Sequence, residues 1–240
     1  MNQKIKEHLF DFWETIGTSG GFLKNGNGYL FTGPINNSWP HKTFRLQSQF
    51  INPKTLAQDL QEGMVPNSMV ASKDEQGDLI KALKLSLTSS LSAMAMDTSG
   101  KAPLPIEKVL FERVSTKSQA SIFADIASRA FGYAVLTQVL DPLIKNQNFK
   151  LFLGKHDESF ACCGMIYLDR EGNHGLHMIG TLPNFRGLGL GKEMTKFLLN
   201  QAIMDNSGPV YLIASVAGEK IYTKLGFKTY GTLETYTLAE

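Results

Sequence analysis

Between Leu176 and Lys192 the chain runs from an apolar stretch, Leu176–Thr181, through Leu182-Pro183 into a loop with glycine at 187, 189 and 191. An amphipathic stretch follows, with Met194, Phe197, Leu198 and Ala202 on one face. A strand that turns through glycines directly into a helix belongs to an α/β fold. Glycines let successive backbone N–H groups turn toward one point. The helix adds its unpaired N-terminal donors and the positive end of its dipole. A diphosphate fits such a corner, and Arg186 and Lys192 add positive charge. A glycine-rich turn without a ligand is the alternative that the loop alone leaves open.

Spacing separates three phosphate-binding loops. A P-loop ending at Gly191-Lys192 needs glycine at 186 and serine or threonine at 193, and these are Arg186 and Glu193. A Gly-x-Gly-x-x-Gly dinucleotide fingerprint needs glycine at 192 or 194, and these are Lys192 and Met194. Arg-x-x-Gly-x-Gly fits at Arg186, Gly189 and Gly191.

The surrounding pattern is regular from residue 106 onward. Ile106–Val114 reads as a strand. Ser118–Phe131 reads as a helix with Ser118 as its cap, and a second helical stretch starts at Ala134. Phe149–Leu153, Phe160–Leu168 and Leu176–Thr181 form an antiparallel meander. A helix over Gly189–Met204, a strand over Pro209–Ala214, a short helix over Glu219–Lys224 and a strand over Thr229–Leu238 complete it. The expected fold is mixed α/β: a mostly antiparallel central sheet flanked by helices. The stretch Asp97–Pro105, rich in small residues, glycine and proline, divides this part (106–240) from a smaller α/β domain (1–105). In that first part Gly28–Phe31, Thr43–Leu46 and Asn67–Ser72 read as strands, Pro53–Glu62 and Asp74–Leu85 as helices, and Leu91–Asp97 as a closing strand. No phosphate loop and no titratable cluster is legible there.

Apolar residues make up 42% of the 240, enough for a buried core. The 24 basic and 22 acidic residues leave a net charge of +2, with no basic run. That balance gives no argument for a nucleic-acid or membrane partner. The two cysteines, Cys162 and Cys163, are adjacent, point to opposite faces of a strand and form a poor disulfide pair. No Cys or His spacing suggests a metal site. Ile5, Leu9, Phe10, Trp13 and Ile16 mark the first residues as an amphipathic helix and not a signal peptide. No apolar run reaches the ~20 residues that span a bilayer. A cytoplasmic protein, monomer or homodimer, is expected.

At the loop the sequence resembles the GNAT superfamily of acetyl-CoA-dependent N-acetyltransferases. The family's coenzyme A loop reads Arg/Gln-x-x-Gly-x-Gly/Ala after a hydrophobic-x-Pro step, here Thr181-Leu182-Pro183 and Arg186–Gly191. A second family motif is matched by Ile221-Tyr222-Thr223-Lys224-Leu225-Gly226-Phe227. The resemblance covers about 106–240; the first half looks like a degenerate partner domain. Ser215 and Gly218 stand where the family has Asn and Ala. The resemblance implies the acyl-CoA N-acyltransferase fold and acetyl-CoA as donor. It places Ile179, Thr181, Leu182, Arg186, Gly187, Leu188, Gly189, Leu190, Gly191, Lys192, Ser215, Gly218 and Tyr222 around the coenzyme. It further implies that the strand ending near Thr181 splays from Pro209–Ala214, freeing backbone groups at Ile179–Leu182 to bind the acetyl carbonyl and pantetheine amides.

The implied reaction is direct attack of a primary amine, on a small molecule or peptide, upon the thioester. Deprotonating a lysine-like amine of pKa ~10.4 at pH 7 costs roughly 4–5 kcal/mol, and an α-amine near 8 costs roughly 1.4 kcal/mol. Tyr222 is the expected general acid. His177, read as sharing a strand face with Ile179 and Thr181, is the expected base. His174, Asp169 and Glu112 are weaker candidates, and a water chain could replace them. Trp13 and Trp39 read as core packing or as pocket walls. A protein lysine or N-terminal acetyltransferase and a catalytically weak acyl-CoA sensor are the alternatives.

Overall fold

The computed structural model describes residues 1–107, 109–205 and 208–238. The chain opens with α1 (Asn2–Ser19), which buries Ile5, Leu9, Phe12, Trp13 and Ile16 along one stripe. A hairpin of β1 (Leu23–Gly26) and β2 (Tyr29–Thr32) follows, then β3 (Lys42–Phe44). Helix α2 (Pro53–Gln61) starts on Asn52, whose side chain accepts from the N–H groups of Lys54 and Thr55. Then come β4 (Met69–Ala71), α3 (Lys73–Ala82) and the long β5 (Leu85–Asp97). The second half runs β6 (Leu110–Arg113), α4 (Lys117–Phe131), α5 (Thr137–Ile144), β7 (Phe149–His156), β8 (Ser159–Leu168), β9 (His174–Thr181), α6 (Leu190–Met204), β10 (Pro209–Ala214), α7 (Val216–Leu225) and β11 (Lys228–Leu238).

All strands among the described residues join one sheet, in the order β1-β2-β3-β4-β11-β5-β10-β9-β8-β7-β6. Neighbours are antiparallel except β3 with β4 and β10 with β9. This is the expected mixed, mostly antiparallel sheet. The division expected near residue 105 falls in the connection from β5 to β6, and the sheet runs across it. β5 is not the short closing strand read over Leu91–Asp97. It spans 13 residues and lies inside the sheet, between β11 and β10. Its polar half, Ser86–Ser92, hides the strand from a hydrophobic pattern, because its partners are supplied by the far end of the chain.

Helices α1, α4 and α5 cover one face of the sheet and α6 covers the other. The two cysteines report the faces: Cys163 packs among the α1/α4/α5 cluster and Cys162 among the α6 cluster. Helix α4 is capped by Thr116, not by Ser118. The Thr116 hydroxyl accepts from Gln119 N–H while the Gln119 side chain accepts from Thr116 N–H, a capping box.

Two irregularities open the sheet. Strands β9 and β10 pair only at His174/Val210 and Gly175/Tyr211, then diverge. Within β9 an extra residue enters the β8 ladder between the pairs Cys163/Gly180 and Met165/His177, and Met178 takes a left-handed φ of 52°. A bulge of this kind re-aims side chains and disrupts the ladder locally.

Candidate functional site

The bulge corrects one reading. With strict alternation His177, Ile179 and Thr181 would share a face. The inserted residue breaks the parity: His177 turns toward α1, against Phe12 and His8, whereas Ile179 packs with the α6 cluster.

The divergence of β9 from β10 separates two cavities. One, of about 450 Å³, is lined by Thr181, Arg186, Gly187, Gly189, Leu190, Gly191 and Lys192 from the loop, and by Lys220, Ile221 and Lys224 from α7. Gly187 and Gly189 have φ of 84° and 80°, the left-handed region that favours glycine. Gly189 is the N-cap of α6 and no side chain caps that helix. Its first donors are therefore left for a ligand, at the positive end of the dipole. Arg186 donates to the Ala130 carbonyl at 2.8 Å, which fastens the loop to the end of α4. Lys220 and Lys224, one turn apart on α7, also line this cavity; Lys224 stands in the second motif, but neither lysine was placed at the coenzyme. Their i,i+4 spacing beside Tyr222 was the available signal. Leu188 is exposed and lies outside this lining. Leu182 is buried, and its N–H is already held by the Ala161 carbonyl at 2.9 Å, so that donor is not free as expected.

The second cavity, of about 520 Å³, lies on the α1 side and reaches the same strand divergence through Ile179, Ile213, Ser215 and Tyr222. Its walls are largely aromatic: Phe12 and Trp13 from α1, Trp39 from the loop before β3, and Phe131 and Tyr133 at the end of α4. Trp13 and Trp39 are thus both core packing and wall. The Trp39 loop is pinned by Trp39 N–H on the Ala134 carbonyl at 2.8 Å and by Leu136 N–H on Ser38 Oγ at 3.0 Å. The lining holds no Asp or Glu, but does hold His41 and Lys42. Lys42 donates to Ser68 Oγ at 2.6 Å and has no carboxylate within ion-pair distance among the described residues. Burial pulls its ammonium below the ordinary lysine value.

Tyr222 lines the second cavity, and its chain neighbour Ile221 lines the first. The Tyr222 ring lies over Gly218: a Cβ there would be 2.8 Å from Tyr222 Cε2. The glycine that replaces the family's alanine thus accommodates this ring. Burial pushes the Tyr222 hydroxyl up to about 12, and no hydrogen bond to it is found among the described residues. Ser215 is the N-cap of α7, its Oγ accepting from Gly218 N–H at 3.2 Å. His177 is buried and lines the second cavity. Burial first, and His8 second, hold its imidazole well below the usual value. His174 faces away, bonded to Asp205 at 3.2 Å, and Glu112 pairs with Lys155 at the sheet edge. No group of three His, Cys, Asp or Glu residues suited to a metal occurs among the described residues. No described helix is long and apolar enough to cross a membrane.

The sequence profile of the acetyltransferase (GNAT) domain matches residues 113–236. The chain belongs to the GNAT acetyltransferase family. Among solved structures it is similar to a GCN5-related N-acetyltransferase from Kribbella flavida, with a TM-score of 0.68 and 13% identity, covering 97% of this chain and 96% of that one. It is also similar to a GCN5-related N-acetyltransferase from Sphaerobacter thermophilus (TM-score 0.60, 11% identity, 93% and 84% covered). A third likeness is to a GCN5-related glucosamine N-acetyltransferase region of a fungal multi-domain β-N-acetylglucosaminidase (TM-score 0.60, 11% identity, 87% and 31% covered). No curated protein matches the sequence. The profile does not reach the first half, whereas the Kribbella likeness spans nearly the whole chain.

Proposed function

We propose that the protein transfers an acetyl group from acetyl-CoA to the primary amine of a small molecule with an apolar or aromatic body. The observation that carries this is the pair of cavities that both reach α7, one glycine-lined and cationic beside Ile221, the other aromatic and free of carboxylates beside Tyr222.

The residues present fit the donor. Arg186, Lys192, Lys220 and Lys224 surround the uncapped start of α6, and four cations with a helix N-terminus suit a diphosphate. The thioester end would lie along the diverging β9, beside Tyr222. A coenzyme A thiolate resembles a cysteine thiolate of pKa ~8.5. A phenol near 12 does not fully protonate such a thiolate, since that is uphill by ~3–4 units, or about 5 kcal/mol. Tyr222 instead donates a hydrogen bond that favours its departure. His177 takes the amine proton.

The acceptor cavity argues against polycations. Its charged lining residues are Lys42 and, when protonated, the histidines, so a basic peptide or polyamine meets repulsion and finds no carboxylate. An amine with an aromatic body gains the walls, and a carboxylate on that body gains Lys42. Thiol release from acetyl-CoA is the test, measured with 2-phenylethylamine, phenylalanine, spermidine and a lysine-rich peptide. Turnover with the first two and little with the others is expected. Preference for the polycations refutes the acceptor assignment. Acetyl-CoA binding without turnover on any of them refutes the enzyme and favours a sensor.

A further inference from the structure

Behind the acceptor cavity three side chains from distant parts of the sequence form a line. His8, on α1, places Nδ1 2.7 Å from Asp169 Oδ2 and Nε2 3.1 Å from His177 Nε2. The two imidazoles are nearly parallel, at 5°, and His177 is stacked on Phe12 with centroids 3.8 Å apart. His8 is only 2% exposed. The contact depends on Gly175: a Cβ at that position would stand 1.8 Å from His8 Nε2 and 2.5 Å from His177 Nε2. Asp169 is itself fixed, its Oδ1 accepting from the N–H groups of Glu171 at 3.0 Å and Asn173 at 2.8 Å. On its far side the line ends at a second cleft, of about 360 Å³, lined by His8 and Asp169 with Lys4, Glu7, Asp11 and Arg45.

The partners assign the protons. Asp169 is an acceptor on both oxygens. Burial raises its carboxyl, and the hydrogen bonds from His8 and Asn173 outweigh this and hold it below the usual range. His8 therefore donates through Nδ1, and in its neutral form presents a lone pair at Nε2. A neutral His177 then donates to that lone pair through Nε2, which leaves its own Nδ1 as the lone pair. That Nδ1 has no hydrogen-bond partner among the described residues, and the ring lines the acceptor cavity.

We propose that Asp169 and His8 form a proton relay behind His177 that removes the acceptor's ammonium proton to the outer cleft. The inference rests on the acetyl-transfer reading of the cavity. In the step, an N–H bond of the ammonium breaks and its electron pair stays on nitrogen. The proton joins His177 Nδ1, while the proton on His177 Nε2 passes to His8 Nε2. The positive charge then sits on His8 beside the ionised Asp169, and water in the outer cleft takes up the proton from Nδ1. The reverse hop, with a proton entering at His8 and leaving His177 for the thiol leaving group, restores both tautomers; the nitrogen's second N–H proton, made acidic once that nitrogen bonds the acyl carbon, is lost to water, so that ammonium and thioester give amide, thiol and one released proton. An isolated buried imidazole holds a proton poorly; moving the charge one ring outward, to a carboxylate, removes that obstacle. His8 and Asp169 are positioning residues, since neither faces the acceptor cavity.

The groups facing His8 are Lys4, Glu7 and Asp11 on its own helix, Tyr167 on β8, Asp169, Arg170 and Glu171 in the β8–β9 turn, His174 and His177 on β9, Tyr211 on β10, and Arg45. Asp11 is occupied by Tyr167 and Arg170.

Two measurements test the relay. The first is kcat/KM against pH for the full chain with acetyl-CoA and 2-phenylethylamine, in wild type, His8→Asn and Gly175→Ala. A loss of ~100-fold at pH 7 is expected in both variants. It should shrink about tenfold per pH unit as pH rises, because the amine increasingly arrives neutral, and coenzyme A affinity by calorimetry should be retained. A loss that is equal at all pH values, or none, overturns the relay. Gly175→Ala keeps all three residues and separates the rings, so it covers the case in which His8→Asn fails to fold. The second is a long-range proton–nitrogen NMR spectrum of 15N-histidine wild type, which needs no acceptor. It should show His8 protonated at Nδ1 and His177 at Nε2; His177 protonated at Nδ1 overturns the relay. A wild type inactive on every amine, with those tautomers present, overturns the proposed function while leaving the histidine geometry standing.

Discussion

Replacing Gly218 by alanine isolates the position of one ring. The added Cβ would lie 2.8 Å from Tyr222 Cε2 and 3.4 Å from Ser215 Oγ. Non-bonded carbons sit at ~3.5–4.0 Å, so the tyrosine ring must retreat by at least about 0.7 Å. Gly218 is the third residue of α7, in helical conformation, with ordinary backbone angles. There alanine is the better helix former by about 1 kcal/mol. Stability and catalysis should therefore move in opposite directions. The melting temperature stays level or rises, whereas displacing a group at the reacting centre by near 1 Å costs up to ~100-fold in rate. The assay pairs thermal unfolding with steady-state thiol release at saturating acetyl-CoA. A Gly218→Ala protein with wild-type kcat would refute the assignment of Tyr222. A large drop in melting temperature would show that the glycine serves the fold and not the ring.

Three further outcomes follow from the same geometry. Tyr222→Phe should lower kcat by ~100-fold with coenzyme A affinity retained; unchanged kcat removes the hydroxyl from the reaction. Gly189→Ala places a side chain at φ 80°, a conformation costing ~1–2 kcal/mol, so calorimetric affinity for coenzyme A should fall roughly 5–30-fold, and unchanged affinity argues against the loop as the diphosphate site. Asp169 has a carboxyl lowered on folding, a contribution present above the unfolded pKa of ~3.9 and lost as pH falls through the lower folded value. Asp169→Asn should therefore cost about 1.5–3 kcal/mol in urea unfolding at pH 7, with the difference closing as pH falls through the lowered folded value; a constant difference would show that charge is not involved.

Much of the second half was legible because its signals are local. Pro209–Ala214 is bounded by its own apolar run, and the Gly187/Gly189 loop by residues that adopt left-handed angles. The capping box at Thr116 was equally local and overlooked, because Ser118 lies nearer the apolar run. What could not be read depends on residues far away. The bulge at Met178 puts a non-glycine residue at φ 52°, which no alternation pattern announces, and it reverses the side to which His177 points. His8 was not singled out by any local pattern; only docking α1 over β9 brings it to Asp169 and His177. The aromatic walls of the second cavity likewise converge from α1, the Trp39 loop and the end of α4.

Strand β5 carries a consequence for how the chain is made. Its two native neighbours, β10 and β11, begin at residues 209 and 228. A ribosome releases β5 more than a hundred residues before either neighbour exists. During that interval both of its edges are bare, and an unpaired edge is a template for association with other chains. Ser86, Ser89, Ser90 and Ser92, with Thr88, make much of that exposed length polar. The residues that concealed the strand from a hydrophobic pattern are thus the ones that keep it soluble while it waits.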